Sequence, residues 1–378
     1  MILKITTNVL LKNNSNLTTK PDLFGLCWFN ELMILIIHGI KLRLFNTFDL
    51  IMKQSILILW IVASVFSACK KKDSNDGGNA TVCQGTQDKS KLESFTMFLP
   101  DHPLNTDISS YPLDTNSNAI ISAIGISSLR ADFGSGLYNG APIGIPFALV
   151  CGSQAKVLIT YRANSYDGDY GSESDPGPFP IPDNAQIEGN GNGDSHVIVC
   201  DIENKKLYEL YNATKNTGAG WSASSGVVFD LTKNYYRTEG WTSADASGMA
   251  ILPSLVRYDE ALSGTINHAI RFTLSRSHVF NGYTLPATHK VSGTGLLGKS
   301  LPMGARIRLK ASFDISGYSP VNQAILKAMK QYGLVLADIG SDMFFSGAPD
   351  ERWDNDDLRN LMNIKSTDFE VVQIGAIR

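Results

Sequence analysis

From residue 156 onward the chain is a succession of short apolar runs cut by Gly, Pro, Asn and Asp turns, and this spacing constrains the fold more than any single motif. Runs at 156–161, 196–201, 207–211, 226–231, 254–258, 268–274 and 305–313 have the length of strands. They predict a mainly β fold, a single-domain β-sandwich or jelly-roll-like pair of sheets, with one amphipathic helix near the C-terminus. For that helix Ser319 suits the N-cap, Pro320 the first helical position, and Gly333 the end. Val321, Ala324, Ile325, Ala328 and Met329 give it one apolar face. Strands at 334–338, 343–346 and 369–374 and a short helix over 355–363 follow, whereas 81–146 reads as loop-rich.

Charge excludes some partners. The chain has 378 residues, with 33 Lys+Arg against 36 Asp+Glu and a formal charge of -3, so nothing draws the whole molecule to nucleic acid. The run from Gly293 to Ser300 (GTGLLGKS) formally matches a phosphate-binding loop, yet Pro302 and Gly304 prevent the helix that would have to follow, so no nucleotide is expected.

The compartment is written near the start. Met52-Lys53-Gln54, an apolar run over 55–65 and Phe66-Ser67-Ala68-Cys69 have the layout of a secretory signal. The last four residues resemble a bacterial lipobox, with Phe66 where Leu is commoner. The expected organisation is an upstream extension over 1–51 that follows from a start codon placed too early, a lipoprotein signal peptide over 52–68, a solvated tether over 69–80 and one globular domain over 81–378. Cys69 would carry the lipid and hold the protein to the outer membrane of a bacterial envelope. Export places Cys83, Cys151 and Cys200 in an oxidising space, but Cys151 and Cys200 lie in apolar runs and read as free core thiols.

Polar side chains able to move protons or grip a ligand concentrate over 240–273. Glycoside hydrolysis needs one protonated carboxyl and a second carboxylate across a sugar. Asp245, in an expected loop, is the first candidate, with Asp259 or Asp338 as its partner and His268 or His196 as the orienting or proton-moving imidazole. Asp259 and Glu260 would face opposite ways on a strand. Trp221, Trp241 and Trp353 are candidate stacking platforms, and His289 a further contact. Arg306, Arg308 and Lys310 alternate with apolar neighbours as a cationic row that Arg271 extends, so a uronate would have its carboxylate neutralised by Arg271 or Arg308 and favour elimination. The histidines do not have the spacing of a metal motif, and no metal or other cofactor is expected; Asp167, Asp169, Glu173 and Asp175 offer oxygens to calcium without EF-hand spacing. Asp354, Asp356 and Asp357 suit the start of the helix that follows them.

Asn105-Thr-Asp-Ile-Ser, Glu173-Ser-Asp-Pro-Gly-Pro, Gly240-Trp-Thr-Ser-Ala-Asp-Ala, Arg257-Tyr-Asp-Glu and Ser346-Gly-Ala-Pro-Asp-Glu-Arg-Trp together resemble a group of secreted bacterial proteins without an assigned activity. The likeness spans most of 92–372. Those sequences look like Asp-Arg-His where this chain has Asp194-Ser195-His196, so a charged role at 195 is lost here. The expectation is a lipid-anchored carbohydrate-active protein acting on a polysaccharide or envelope glycan by hydrolysis or lyase cleavage. The alternative is a non-catalytic glycan-binding or envelope-structural lipoprotein.

Overall fold

A computed structural model of the chain describes residues 85–162 and 168–378. The upstream extension, the signal peptide, the tether, Cys69 and Asp167 lie outside the described residues. Ten strands build the two principal sheets: β1 (Arg130–Asp132), β2 (Phe147–Val150), β3 (Val197–Asp201), β4 (Lys206–Tyr211), β5 (Ser225–Asp230), β6 (Ile270–Leu274), β7 (Arg306–Leu309), β8 (Leu334–Ile339), β9 (Phe344–Ser346) and β10 (Phe369–Val371). The fold is mainly β, as the strand spacing predicts, and the described sheets form no closed barrel.

The larger sheet has the order β1-β9-β6-β8-β7-β10 and mixes parallel pairs (β1 with β9, β6 with β8) with antiparallel ones. Its central strands are covered on both faces, and Ile270, Phe272, Leu274, Leu334, Leu336 and Phe345 are wholly buried. Helix α1 (Ser117–Ile124) packs against β10, and α3 (Pro320–Gln331) packs against β7 and against α2 (Tyr258–Ser263). The cap of α3 is the expected one: Ser319 Oγ accepts from Asn322 N at 3.1 Å, and Gly333 follows with φ +76°. Asp354 likewise caps α4 (Asn355–Asn360), accepting from the amides of Asp356 and Asp357 at 2.9 and 3.1 Å.

The smaller sheet has the order β5-β4-β3-β2. Strand alternation sends Phe147, Leu149, Ile198, Cys200, Leu207, Val227 and Phe229 to one face. Ala148, Val150, Val197, Val199, Tyr208 and Leu210 go to the other, so each face carries its own core. Cys200 is a free buried thiol, whereas Cys151 is disulfide-bonded and not the free core residue its apolar surroundings suggest.

Two local expectations are corrected. Residues 258–263 form α2, not the end of a strand, because Glu260 Oε1 accepts from the Arg257 amide at 2.8 Å and Gly264 (φ +86°) closes the helix in the left-handed region. Helix α1 and strand β1 stand within the stretch read as loop-rich. No helix follows Ser300, as Pro302 and Gly304 require; the run is a strand, Leu301–Met303.

Candidate functional site

The face of the larger sheet that carries Arg271 becomes the floor of a cleft. Asp132 pairs with Ser346 in register, and the Arg271 Nη1 donates to Ser346 Oγ at 2.9 Å, which runs one row across β1, β9 and β6. Strand β8 joins that row through a bulge. Arg271 lies opposite Val335 and Phe272 opposite Leu336, but Thr273 lies opposite Asp338, so Ala337 is the extra residue. Paired neighbours point to the same side, so the bulge turns Asp338 onto the Arg271 side; regular alternation would have sent it into the core with Leu334 and Leu336.

The smaller sheet supplies the opposite wall. The segment before β3 takes left-handed backbone at Gly189, Asn190, Gly191, Gly193 and Ser195, and Ser195 does so at φ +53° with a buried side chain. This tight path places Glu188, Asp194 and His196 around one opening. Two adjoining lobes, of about 470 and 350 Å³, share Asp194, His196, Asp338 and Ile339. Tyr138, 72 % exposed on its hairpin, stands at the rim of the larger lobe, and Tyr170 and Tyr211, in edge-to-face contact, line the smaller.

His196 is held at both ring nitrogens. Its Nδ1 meets Glu188 Oε2 at 2.5 Å and its Nε2 meets the Ala244 carbonyl at 3.0 Å. A carboxylate and a carbonyl can only accept from it, so both nitrogens donate and the ring is an imidazolium. Burial works against that charge, but Glu188's charge and hydrogen bond overcome it and raise the pKa to about 9. Glu188 is held correspondingly below its ordinary value: burial pushes it up, and the His196 charge outweighs that. Arg271 is the second buried cation, its Nη2 on Asp245 Oδ1 at 2.9 Å, while among the described residues its buried Nε has no partner.

Asp338 behaves differently. Burial, then the charge of Asp245, push its carboxyl up to about 7, against a lowering by Arg271. Its Oδ1 accepts from the following amide of Ile339 at 2.6 Å. A carboxyl raised in this way keeps its proton to higher pH than an ordinary aspartate, which is what a general acid needs.

The chain matches no protein-family model, no curated protein and no solved structure. Function must therefore be derived from the cleft itself.

Of the residues chosen from sequence, Asp338, His196 and Arg271 meet in this cleft. Asp245 does not open onto it. Only 2 % exposed, it lies beneath the floor with Oδ2 accepting from Ser247 Oγ at 3.0 Å, because Arg271 needs a buried counter-charge. Asp259 sits on α2 with both oxygens on Arg352, at 2.6 and 3.0 Å, and has no part in the cleft. His268 is buried elsewhere, its Nδ1 facing the Ala269 carbonyl at 2.9 Å and its Nε2 facing Glu260 at 3.2 Å. It is a satisfied core histidine.

The three tryptophans are not platforms. Trp221 packs in the core of the smaller sheet, Trp353 lies in the larger core with its Nε1 on the Ala348 carbonyl at 3.0 Å, and Trp241 is half-buried under the Arg237 guanidinium at 5.3 Å. The cationic row is also committed to the fold. Arg308 Nε pairs with Glu370 at 2.7 Å and Lys310 Nζ donates to the Thr367 carbonyl at 2.8 Å, so neither awaits a uronate, and Arg271 belongs to the cleft and not to this row. His289 bonds the Ala246 carbonyl at 2.8 Å outside the lobes. The acidic loop is structural where described: Asp175 pairs with Arg237 at 3.0 Å, Glu173 Oε2 accepts from the Thr242 amide at 2.8 Å, and Asp169 Oδ1 accepts from Gly171 N at 2.6 Å.

Sequence reasoning passed over Glu188, Asp132 and Tyr138. The signal for Glu188 was its glycine-rich surroundings, Gly189 to Gly193, which announce a backbone path built to aim side chains.

Proposed function

We propose that the protein is an exported, lipid-anchored glycan hydrolase in which Asp338 is the acid and Asp194 the second carboxyl group. The observation that carries this reading is Asp338, half-buried on the floor of an open polar cleft and raised to about 7. A carboxyl kept protonated at neutral pH can protonate a glycosidic oxygen, and a second carboxylate on the facing wall can receive the developing charge or activate water. Asp194, on the mouth shared by both lobes, has that position. Tyr138 and Tyr170 at the two rims offer flat apolar faces to sugar rings.

Hydrolysis fits this cleft better than elimination. The histidine base expected for elimination from a uronate has no free lone pair here, since both ring nitrogens of His196 already donate. His196 and Arg271 are positioning residues that hold the acidic walls in place. Anchoring through Cys69 is part of the proposal, and the disulfide at Cys151 supports export to an oxidising compartment.

The test is to incubate the purified protein with a panel of neutral, amino-sugar and uronate polysaccharides while following new reducing ends and unsaturated products separately. Reducing ends without unsaturation are expected, and Asp338→Asn should lower the rate by about 10²-fold or more with the fold retained. Unsaturated products would instead favour the lyase. A glycan that binds without any cleavage would leave the rims as a binding platform only.

A further inference from the structure

We infer that the cleft takes a glycan residue carrying a free, positively charged amine, an unsubstituted amino sugar, and discriminates against uronates. This rests on the glycan reading of the same cleft, and it names the substrate class. The argument is a charge inventory of the walls. His196 is satisfied by Glu188 at 2.5 Å and Arg271 by Asp245 at 2.9 Å. Once these pairs are set aside, Asp132, Asp194 and Asp338 remain around the opening, and among the described residues none of them forms an ion pair. Arg276 is the opposing charge in the smaller lobe, and its Nη1 is tied to the Ser292 carbonyl at 2.6 Å.

An anionic sugar would meet these carboxyl groups in a concave site where the field is concentrated, whereas an ammonium would relieve their mutual repulsion. The second observation is independent of the acids. Tyr138, 72 % exposed in the lining of the larger lobe, presents at the rim a ring that suits a cation as well as a sugar face.

Calorimetric binding of the full chain at low salt, with the glucosamine tetramer, the N-acetylglucosamine tetramer and tetragalacturonate as probes, tests this. The glucosamine tetramer should bind tightest, and Asp132→Asn should weaken it about fivefold while changing the N-acetylated probe little. Equal or tighter binding of the N-acetylated or uronate probe, or no binding of any of the three, overturns the inference. The expected ranking without cleavage of any probe would uphold the inference and remove hydrolysis, so the two readings fail separately.

Discussion

His196 shows how far a residue's identity lies from its role. From its sequence His196 is a candidate orienting or proton-moving imidazole, and here the carboxylate on one ring nitrogen and the carbonyl on the other make it a fixed cation. Its pKa is raised to about 9 from an ordinary 6.5, so its stabilisation is fully present below about pH 6.5 and is lost as pH rises through about 9. Denaturant midpoints of the protein should fall between pH 7 and about 10, and His196→Gln should flatten that slope; an unchanged slope would contradict the pairing. The aromatic residues divide in the same way. Trp221→Ala should cost about 3–5 kcal/mol in a denaturant melt because the side chain fills a core, whereas Tyr138→Ala should leave the melt unchanged and weaken glycan binding. Burial is a property of the folded chain, and nothing in the residues next to Trp221 distinguishes it from a surface platform.

Elements were more legible than sites. The cap, face and end of α3 follow from Ser319, Pro320 and Gly333 because these signals are local, and the strands around 197–201 and 206–211 follow from their apolar runs. What escaped depended on partners distant in sequence. The bulge at Ala337 exists only because β6 lies beside β8, and without it Asp338 belongs to the core face. The turn before β3 is partly visible in its glycines, but Ser195 at φ +53° is not. Ser195→Gly should preserve the melting midpoint and Ser195→Val should lower stability by about 1–2 kcal/mol, since a β-branched side chain resists the left-handed region. Equal behaviour of the two variants in a melt would show that this backbone conformation is not required.

At the scale of the molecule, two sheets with separate cores bring a strand face and a glycine-rich turn to one opening, and the opening's four acids come from three segments of the chain: Asp132 from β1, Glu188 and Asp194 from the turn before β3, and Asp338 from β8. The stretch over 240–273 supplies Arg271 to this opening and Asp245 to support it from beneath, so it underlies the site more than it lines it. The most direct measurement is the pH–rate profile of glycan cleavage for the wild type and Asp338→Asn. With Asp338 as the acid, kcat/KM of the wild type should decline as pH rises through about 7, and Asp338→Asn should lose that limb together with about 10²-fold or more in rate. A variant that keeps the wild-type rate and the same decline above pH 7 would contradict the assignment.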